Sequence, residues 1–305
     1  MTATSTTTVN RRTRLPQWLR LSLPTDRRFA QTGGWLGTLR LHTVCESARC
    51  PNRWECWSRG TATFMIAGNR CTRACGFCAV KTAKPLPLDP DEPKRVAEAA
   101  KRMALKHVVV TSVARDDLDD GSAEHFARTI RELRVQCGED LAVEVLTPDF
   151  GGRPEPVETV LAARPDVFNH NIETVRRLTA KVRHRATYER TLAVLRMASE
   201  WIVQSGGGRR MYVKSGLMVG HGETGTEVLE TMRDLRAAGC ELLTIGQYLQ
   251  PTPANLTVVE FVRPEVFVAL RRAALKMGFV HAASAPLVRS SYHADEFRQK
   301  TGSEL

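Results

Sequence analysis

The sequence predicts an α/β protein: a partial (β/α)6 barrel of the TIM type, preceded by an N-terminal extension that carries a cysteine motif of its own. Three observations predict it. Six short apolar runs alternate with six amphipathic stretches of helical period, the pattern of a parallel sheet with helices outside. A complete eight-unit barrel fits in about 250 residues, yet only six units can be counted. A dense cysteine loop follows the first apolar run directly, at the strand end where such barrels place their chemistry.

Taken in order, Thr63–Ala67 (TFMIA) reads as the first strand and leads into the loop at Cys71. A helix is predicted over 93–105, a strand over His107–Val113 and an amphipathic helix over 122–136. Leu141–Leu146 is the third strand, followed by the short helix PVETVLAAR. Asp166–His170 is the fourth strand and 187–203 a long helix. Met211–Val219 is the fifth strand, and 226–238 is a helix with Gly239 where a C-cap belongs. Leu242–Leu249 is the sixth strand and 263–277 the last helix. This divides the chain into a disordered tail (1–14), an extension with the first cysteine motif (15–60), the barrel (61–280) and a C-terminal segment (281–305).

The chain has 305 residues and a net charge of +11. More than half of that excess lies in residues 1–40, which hold seven arginines and a single acid, Asp26. The charge therefore belongs to an arm rather than to a basic groove, which disfavours nucleic acid as a partner. No run approaches the roughly 18 apolar residues that span a bilayer, so no membrane role is expected. MTATSTTTVN lacks the apolar core of a secretory signal. Its Ser/Thr- and Arg-rich character is like that of a transit peptide, but Leu15, Trp18, Leu19, Leu21 and Leu23 soon supply apolar anchors. The expectation is an arm packed on the body of a cytoplasmic protein.

Six of the eight cysteines fall between Cys45 and Cys78. Cys137 and Cys240 stand alone in helix-like sequence, as small buried hydrophobes do. The six form two triplets: Cys45, Cys50 and Cys56 in CESARCPNRWEC, and Cys71, Cys75 and Cys78 in CTRACGFC. Disulfides are disfavoured without signs of export. Structural zinc wants four ligands, commonly as paired C-x2-C units. Closely spaced cysteines also hold cubane iron–sulfur clusters. Three thiolates on a four-iron cube leave one iron open to a ligand, which is what makes a metal site chemical rather than structural.

The spacing C-x3-C-x2-C resembles that of the radical S-adenosylmethionine (SAM) superfamily. Within it, GTATFMI between the triplets, TSVARDD (111–117), FNHNIET (168–174), KSGLMVG (214–220), LTIGQYLQPT (243–252) and RSSYHADE (289–296) resemble lipoyl synthases, from about residue 15 to the C-terminus. The resemblance implies insertion of two sulfur atoms, at C6 and C8 of an octanoyl chain on a carrier lysine. It implies SAM and two [4Fe–4S] clusters, one of which gives up its sulfur. Cys71, Cys75 and Cys78 then hold the SAM cluster, with Phe77 beside the adenine. Cys45, Cys50, Cys56 and Ser291 hold the other.

Thr111, Ser112, Asn171 and Glu173, at strand ends, are candidate SAM contacts; the alternative for each is an ordinary loop-capping residue. Lys214, Arg289 and Tyr292 are candidates for the substrate backbone or the SAM carboxylate, with a structural role as the equal alternative. His170, His221 and His293 are not expected to bind metal. Implied partners are octanoylated carrier domains (of 2-oxoacid dehydrogenase complexes and the glycine cleavage H protein), a ferredoxin- or flavodoxin-type electron donor and an iron–sulfur assembly protein. The chain departs from the family pattern at Ala114, Ser122, Arg176, His184 and Arg185. Rival readings are another sulfur-inserting radical SAM enzyme, an inactive paralogue and a basic zinc protein that binds nucleic acid.

Overall fold

The structure, a computed structural model, describes residues 15–20, 27–59, 61–206 and 210–291. The expected tail over 1–14, the anchors Leu21 and Leu23, and the chain from Tyr292 onward, with His293, lie outside the described residues.

The strands are β1 (His42–Thr43), β2 (Thr63–Ile66), β3 (Arg70–Cys71), β4 (Lys81–Thr82), β5 (His107–Ser112), β6 (Ala142–Leu146), β7 (Val167–Asn169), β8 (Tyr212–Val219), β9 (Leu242–Gln247) and β10 (His281–Ser284). The α-helices are α1 (Arg27–Thr38), α2 (Val44–Ser47), α3 (Arg53–Ser58), α4 (Glu92–Arg102), α5 (Ala123–Cys137), α6 (Pro154–Ala162), α7 (Thr179–Val182), α8 (Tyr188–Gln204), α9 (Gly225–Ala237) and α10 (Pro264–Lys276). The main sheet runs β1-β2-β5-β6-β7-β8-β9-β10. From β2 onward every pairing is parallel, and β1 is an antiparallel edge on β2. The ends do not pair with each other, so the barrel is open, as six units require.

All six expected strands are present, each followed by its helix. Parallel strands covered on both faces must be apolar throughout, and all four residues of β2 are buried. Phe64 and Ile66 are fully enclosed, worth about 2 kcal/mol each in area removed from water. Local sequence supports the helices. Pro93 opens α4 while Lys101 and Arg102 face its C-terminal dipole. Thr224 and Glu227 form a capping box on α9, and Gly239 follows with φ +89°, the left-handed exit that glycine permits. A seventh parallel strand, β10, was not predicted: HAAS is short and weakly apolar, and its place comes from pairing with β9, Ala282 opposite Leu243.

The extension is more structured than an arm. Helices α1 to α3 contribute Leu36, Cys45 and Trp57 to the main core, and the turn after α1 adds Leu39 and Leu41. Phe29 stacks on Trp54 with centroids 4.3 Å apart. Arg95 of α4 donates from Nε to the Leu39 carbonyl at 2.9 Å, tying the extension to the barrel. Of the expected anchors, Leu19 is buried, whereas Leu15 and Trp18 are exposed. Cys240 is fully buried, and Cys137 packs partly buried against the core.

Candidate active site

The Cys71 loop leaves the C-terminal end of β2 through Ala67 and Gly68, both at positive φ. Such a backbone is costly for alanine, and Ala67 is gripped from both sides. Its N–H donates to Glu92 Oε2 at 2.8 Å, and its carbonyl accepts from Arg115 Nη1 at 3.0 Å. Cys71 lies in the two-stranded pair β3–β4. Arg73 then binds Asp116 and Asp149, each at 2.6 Å from Nη2, fixing the loop to the exits of β5 and β6.

Backbone N–H groups of Arg73 and Val80 point at the sulfurs of Cys71 and Cys78, each at 3.4 Å. Gly76 donates to the Val182 carbonyl at 2.8 Å and accepts from Leu256 N–H at 2.9 Å. A Cβ on Gly76 would stand 2.9 Å from the Leu256 side chain, so this turn admits only glycine. Asn255 Nδ2 donates to the Cys78 carbonyl at 2.9 Å.

The second triplet lies in and between α2 and α3. Thr43 caps α2 by accepting from Glu46 N–H at 3.3 Å, setting Cys45 in the first turn, and Cys56 sits in α3. The C-terminal segment comes back to this motif across the whole chain. Asn52 Nδ2 donates to the Leu287 carbonyl at 2.6 Å. Thr63 Oγ1 donates to Ser291 Oγ at 2.7 Å and also hydrogen-bonds with Cys45. Arg289 lies close enough to Cys50 to stabilise its thiolate.

Both triplets suit a cationic cluster. Burial, then repulsion from its neighbours Cys78 and Cys71, pushes the Cys75 thiol up to about 12. Burial, then Cys45 and Cys50, does the same to Cys56, and burial, then Cys50, raises Cys45 to about 11. Three thiolates cannot coexist at either place without compensating positive charge, which iron supplies. Among the described residues no three Cys, His, Asp or Glu side chains converge as a single ion needs; a cube spreads its thiolates more widely than one ion does.

Phe77 is partly buried against the core. At the end of β5, Thr111 Oγ1 donates to the Leu146 carbonyl at 2.9 Å, while Ser112 Oγ is buried with no partner among the described residues. Asn171 Nδ2 donates to Glu173 Oε1 at 3.1 Å and to Ser290 Oγ at 2.7 Å. Burial pushes the Glu173 carboxyl up, against Arg183 and Asn171, which lower it. Glu173 is felt by Cys75 and Cys78, and Arg183 by Cys75, so the structure brings Asn171, Glu173 and the Cys71 loop together.

The sequence reading missed several groups here. Arg183 is a buried guanidinium that donates to the Asn171 carbonyl at 2.8 Å, with its Nε unpartnered. Thr63 and Asn255 bridge to the cysteine loops, and no sequence signal marks any of the three. Lys214 is committed to Glu144, with Nζ at 2.9 and 3.0 Å from the two oxygens, and to the Ser290 carbonyl at 2.6 Å. Arg289 donates to the Val288 carbonyl at 2.7 Å. His170 is held between the Thr147 carbonyl and Thr191, and His221 stacks on Tyr248 with centroids 4.1 Å apart.

An open parallel barrel with a three-cysteine loop at the exit of its first strand is the arrangement of a radical SAM enzyme, and the family model for the Radical SAM superfamily matches residues 65–235. A model for the N-terminal domain of lipoyl synthase matches residues 3–50. Curated relatives named lipoyl synthase are 54% identical in Symbiobacterium thermophilum (93% of this chain, 86% of that protein) and 56% identical in an Anaeromyxobacter species (93% and 94%). One from Bacteroides fragilis is 50% identical (94% and 96%). The chain belongs to the lipoyl synthase family, radical SAM enzymes that insert sulfur using SAM and two [4Fe–4S] clusters. Among solved structures, methylornithine synthase (TM-score 0.53, 13% identity, 85% of this chain, 84% of that one) shares the fold. So does a maturase of the [FeFe]-hydrogenase (TM-score 0.54, 14% identity, 94% and 61%).

Proposed function

We propose that this chain inserts two sulfur atoms, at C6 and C8 of an octanoyl group carried on a lysine, and that its two cysteine triplets divide the work. Cys71, Cys75 and Cys78 hold the cluster that takes SAM. Cys45, Cys50, Cys56 and Ser291 hold the cluster that gives up sulfur. When bound, SAM and the first cluster supply the radical that removes hydrogen from an unactivated carbon, and the second cluster supplies sulfide.

The observation that carries the reading is the hydrogen bond from Thr63 to Ser291 at 2.7 Å. It returns a serine from the far end of the chain to a threonine that also touches Cys45. A serine oxygen is a harder ligand than thiolate, so Ser291 is the weakest of the four bonds and the first to break when the cluster is dismantled. On the other side, Ser112, Asn171 and Glu173 offer polar groups to the methionine end or ribose of SAM, Phe77 offers a face to the adenine, and Thr111 supports them. Arg183 adds a buried cation suited to a carboxylate.

Octanoylated lipoyl-carrier proteins are the substrates. Carriers of 2-oxoacid dehydrogenase complexes and the glycine cleavage H protein are the proposed ones, with a ferredoxin- or flavodoxin-type donor and an iron–sulfur assembly protein as partners in the cytoplasm. No helix among the described residues is long and apolar enough to cross a membrane. The extension (15–60), the barrel (61–280) and the C-terminal segment (281–305) are the working parts of this scheme. An anaerobic assay with reconstituted protein, SAM, reductant and an octanoyl-lysine peptide tests it. The peptide is expected to gain two sulfurs by mass spectrometry with wild-type protein and none with Ser291→Ala. Deoxyadenosine release with no sulfur gained by the peptide or by an octanoylated carrier domain would overturn the assignment of substrate.

A further inference from the structure

We infer that Lys214 is a positioning residue: its buried ammonium fastens the Ser290 carbonyl to the barrel floor, and so seats Ser291 at the second cysteine triplet. The inference rests on the reading of Ser291 as a cluster ligand.

Lys214 stands in β8 and is 6% exposed, and Glu144, two strands away in β6, is 1% exposed. Burying such charges is costly unless both are fully bonded. The carboxylate is satisfied by Lys214 and by Asn169 Nδ2 at 2.8 Å, with His107 Nε2 at 3.4 Å from Oε2. The ammonium has three protons. Glu144 takes two contacts, and the third goes to the Ser290 carbonyl at 2.6 Å. A buried ammonium needs an acceptor for that third proton. Here the pair ends on the backbone of a residue 76 positions later, next to Ser291.

The surroundings are cut to fit the same segment. Ser290 Oγ donates to Asn171 Oδ1 at 3.0 Å. A Cβ on Gly246 of β9 would lie 2.0 Å from the Val288 carbonyl oxygen; one on Gly216 of β8 would first meet Thr244 Oγ1 at 2.4 Å and Asn171 Oδ1 at 2.9 Å, the residue that holds Ser290. Strand β9 therefore gives up a side chain where the backbone of Val288 crosses it, and Gly216 makes room for the Asn171 that grips Ser290. With Ser290 fixed on one side and Thr63 receiving Ser291 on the other, Ser291 can leave and return by moving about one residue. The segment need not unthread when sulfur is drawn from the cluster.

The test uses the full chain. The paired variant Lys214→Met/Glu144→Gln removes the anchor without stranding either charge. Gly246→Ala pushes the same segment from the opposite side and leaves the ion pair intact. In cluster-free protein, amide exchange across 285–291 is expected to accelerate about tenfold in both, with α4 and α5, which neither variant touches, unmoved. In reconstituted protein, iron release to a chelator from the second cluster is expected to accelerate about tenfold relative to the first, the scale of supporting-shell losses at metal sites. Ser291→Ala sets the ceiling.

Two results would overturn the inference while leaving the ligand reading in place. One is unchanged exchange and release in both variants while Ser291→Ala releases iron quickly. The other is loosening spread evenly over the barrel in both variants. If Ser291→Ala leaves the spectrum and iron release of the second cluster unaltered, the ligand reading fails and takes this inference with it.

Discussion

The two cysteine triplets are built in opposite ways. Cys71, Cys75 and Cys78 lie within eight residues, on a loop clamped by ion pairs to neighbouring strand exits and by its own N–H groups. Cys45, Cys50 and Cys56 span twelve residues of short helices, and their closing groups come from Leu287 to Ser291. One site is finished once the barrel exists. The other is finished only when residues 287–291 meet the 45–56 motif beside β2. The difference fits the proposed work: a cluster that must persist would be held locally, and one that must be taken apart would be closed by Ser291, one residue beyond an anchored carbonyl.

The largest expected effect would break the comparison outright. Cys75→Ala should abolish both deoxyadenosine release and sulfur insertion. Ser291→Ala should abolish only the second, leaving SAM cleavage within a few-fold of wild type, because the hydrogen bond it accepts comes from Thr63, beside Cys45 of the far triplet. Loss of both products in Ser291→Ala, with the first cluster still loaded, would mean that the sites are not independent.

This asymmetry also sets what the sequence could show. The C-x3-C-x2-C spacing compresses the first site into one loop, so its cysteines are legible from residues alone. Six barrel strands are legible for the same reason, each being a local apolar run. Ser291 is legible only through the RSSY resemblance, since nothing in a lone serine announces a partner 228 residues away. Thr63 reads simply as a strand residue. Lys214 in KSGLMVG reads as a candidate contact for the substrate backbone or the SAM carboxylate, or as a structural residue, because its partners Glu144 and Ser290 meet it only across the sheet. Helices α1 to α3 were missed because they are short and glycine-containing or cysteine-rich, and packing rather than propensity holds them.

Two intermediate effects sharpen the contrast by loading the first site alone. Asp149→Asn takes away a fully buried partner of Arg73 and Arg190. Arg73 then keeps only Asp116, so the loss should be about 2 kcal/mol in denaturant unfolding, below the full cost of stranding a buried charge, and first-cluster occupancy should fall more than second. Acid should act next. Burial, then the nearby Arg183 charge, lowers His170 from its ordinary 6.5 to about 4. The unfolded chain therefore binds the proton first, and stability is lost as pH falls from 6.5 towards 4. At pH 5 the loss should be about 2 kcal/mol. His170→Gln should flatten that part of the pH profile of thermal unfolding; an unchanged slope would show that His170 is not held neutral.

The smallest effect compares two threonines that do matching jobs. Thr43 caps α2 and so orients Cys45, whereas Thr72 binds Asp116 Oδ2 at 2.8 Å and the Ala114 carbonyl at 3.0 Å beside Cys71. Removing either hydroxyl should cost about 1 kcal/mol, the usual scale for a lost cap or hydrogen bond. Equal costs should have unequal consequences. Thr72→Ala leaves Arg73 and the backbone N–H groups still holding the Cys71 loop, so iron loading there should be nearly unchanged. Thr43→Ala loosens a four-residue helix that otherwise rests on short packing against β1 and β2, so loading of the second site should fall measurably. Iron and sulfide content in backgrounds lacking one triplet or the other reads the two separately, and equal losses would mean that the second site is as self-sufficient as the first.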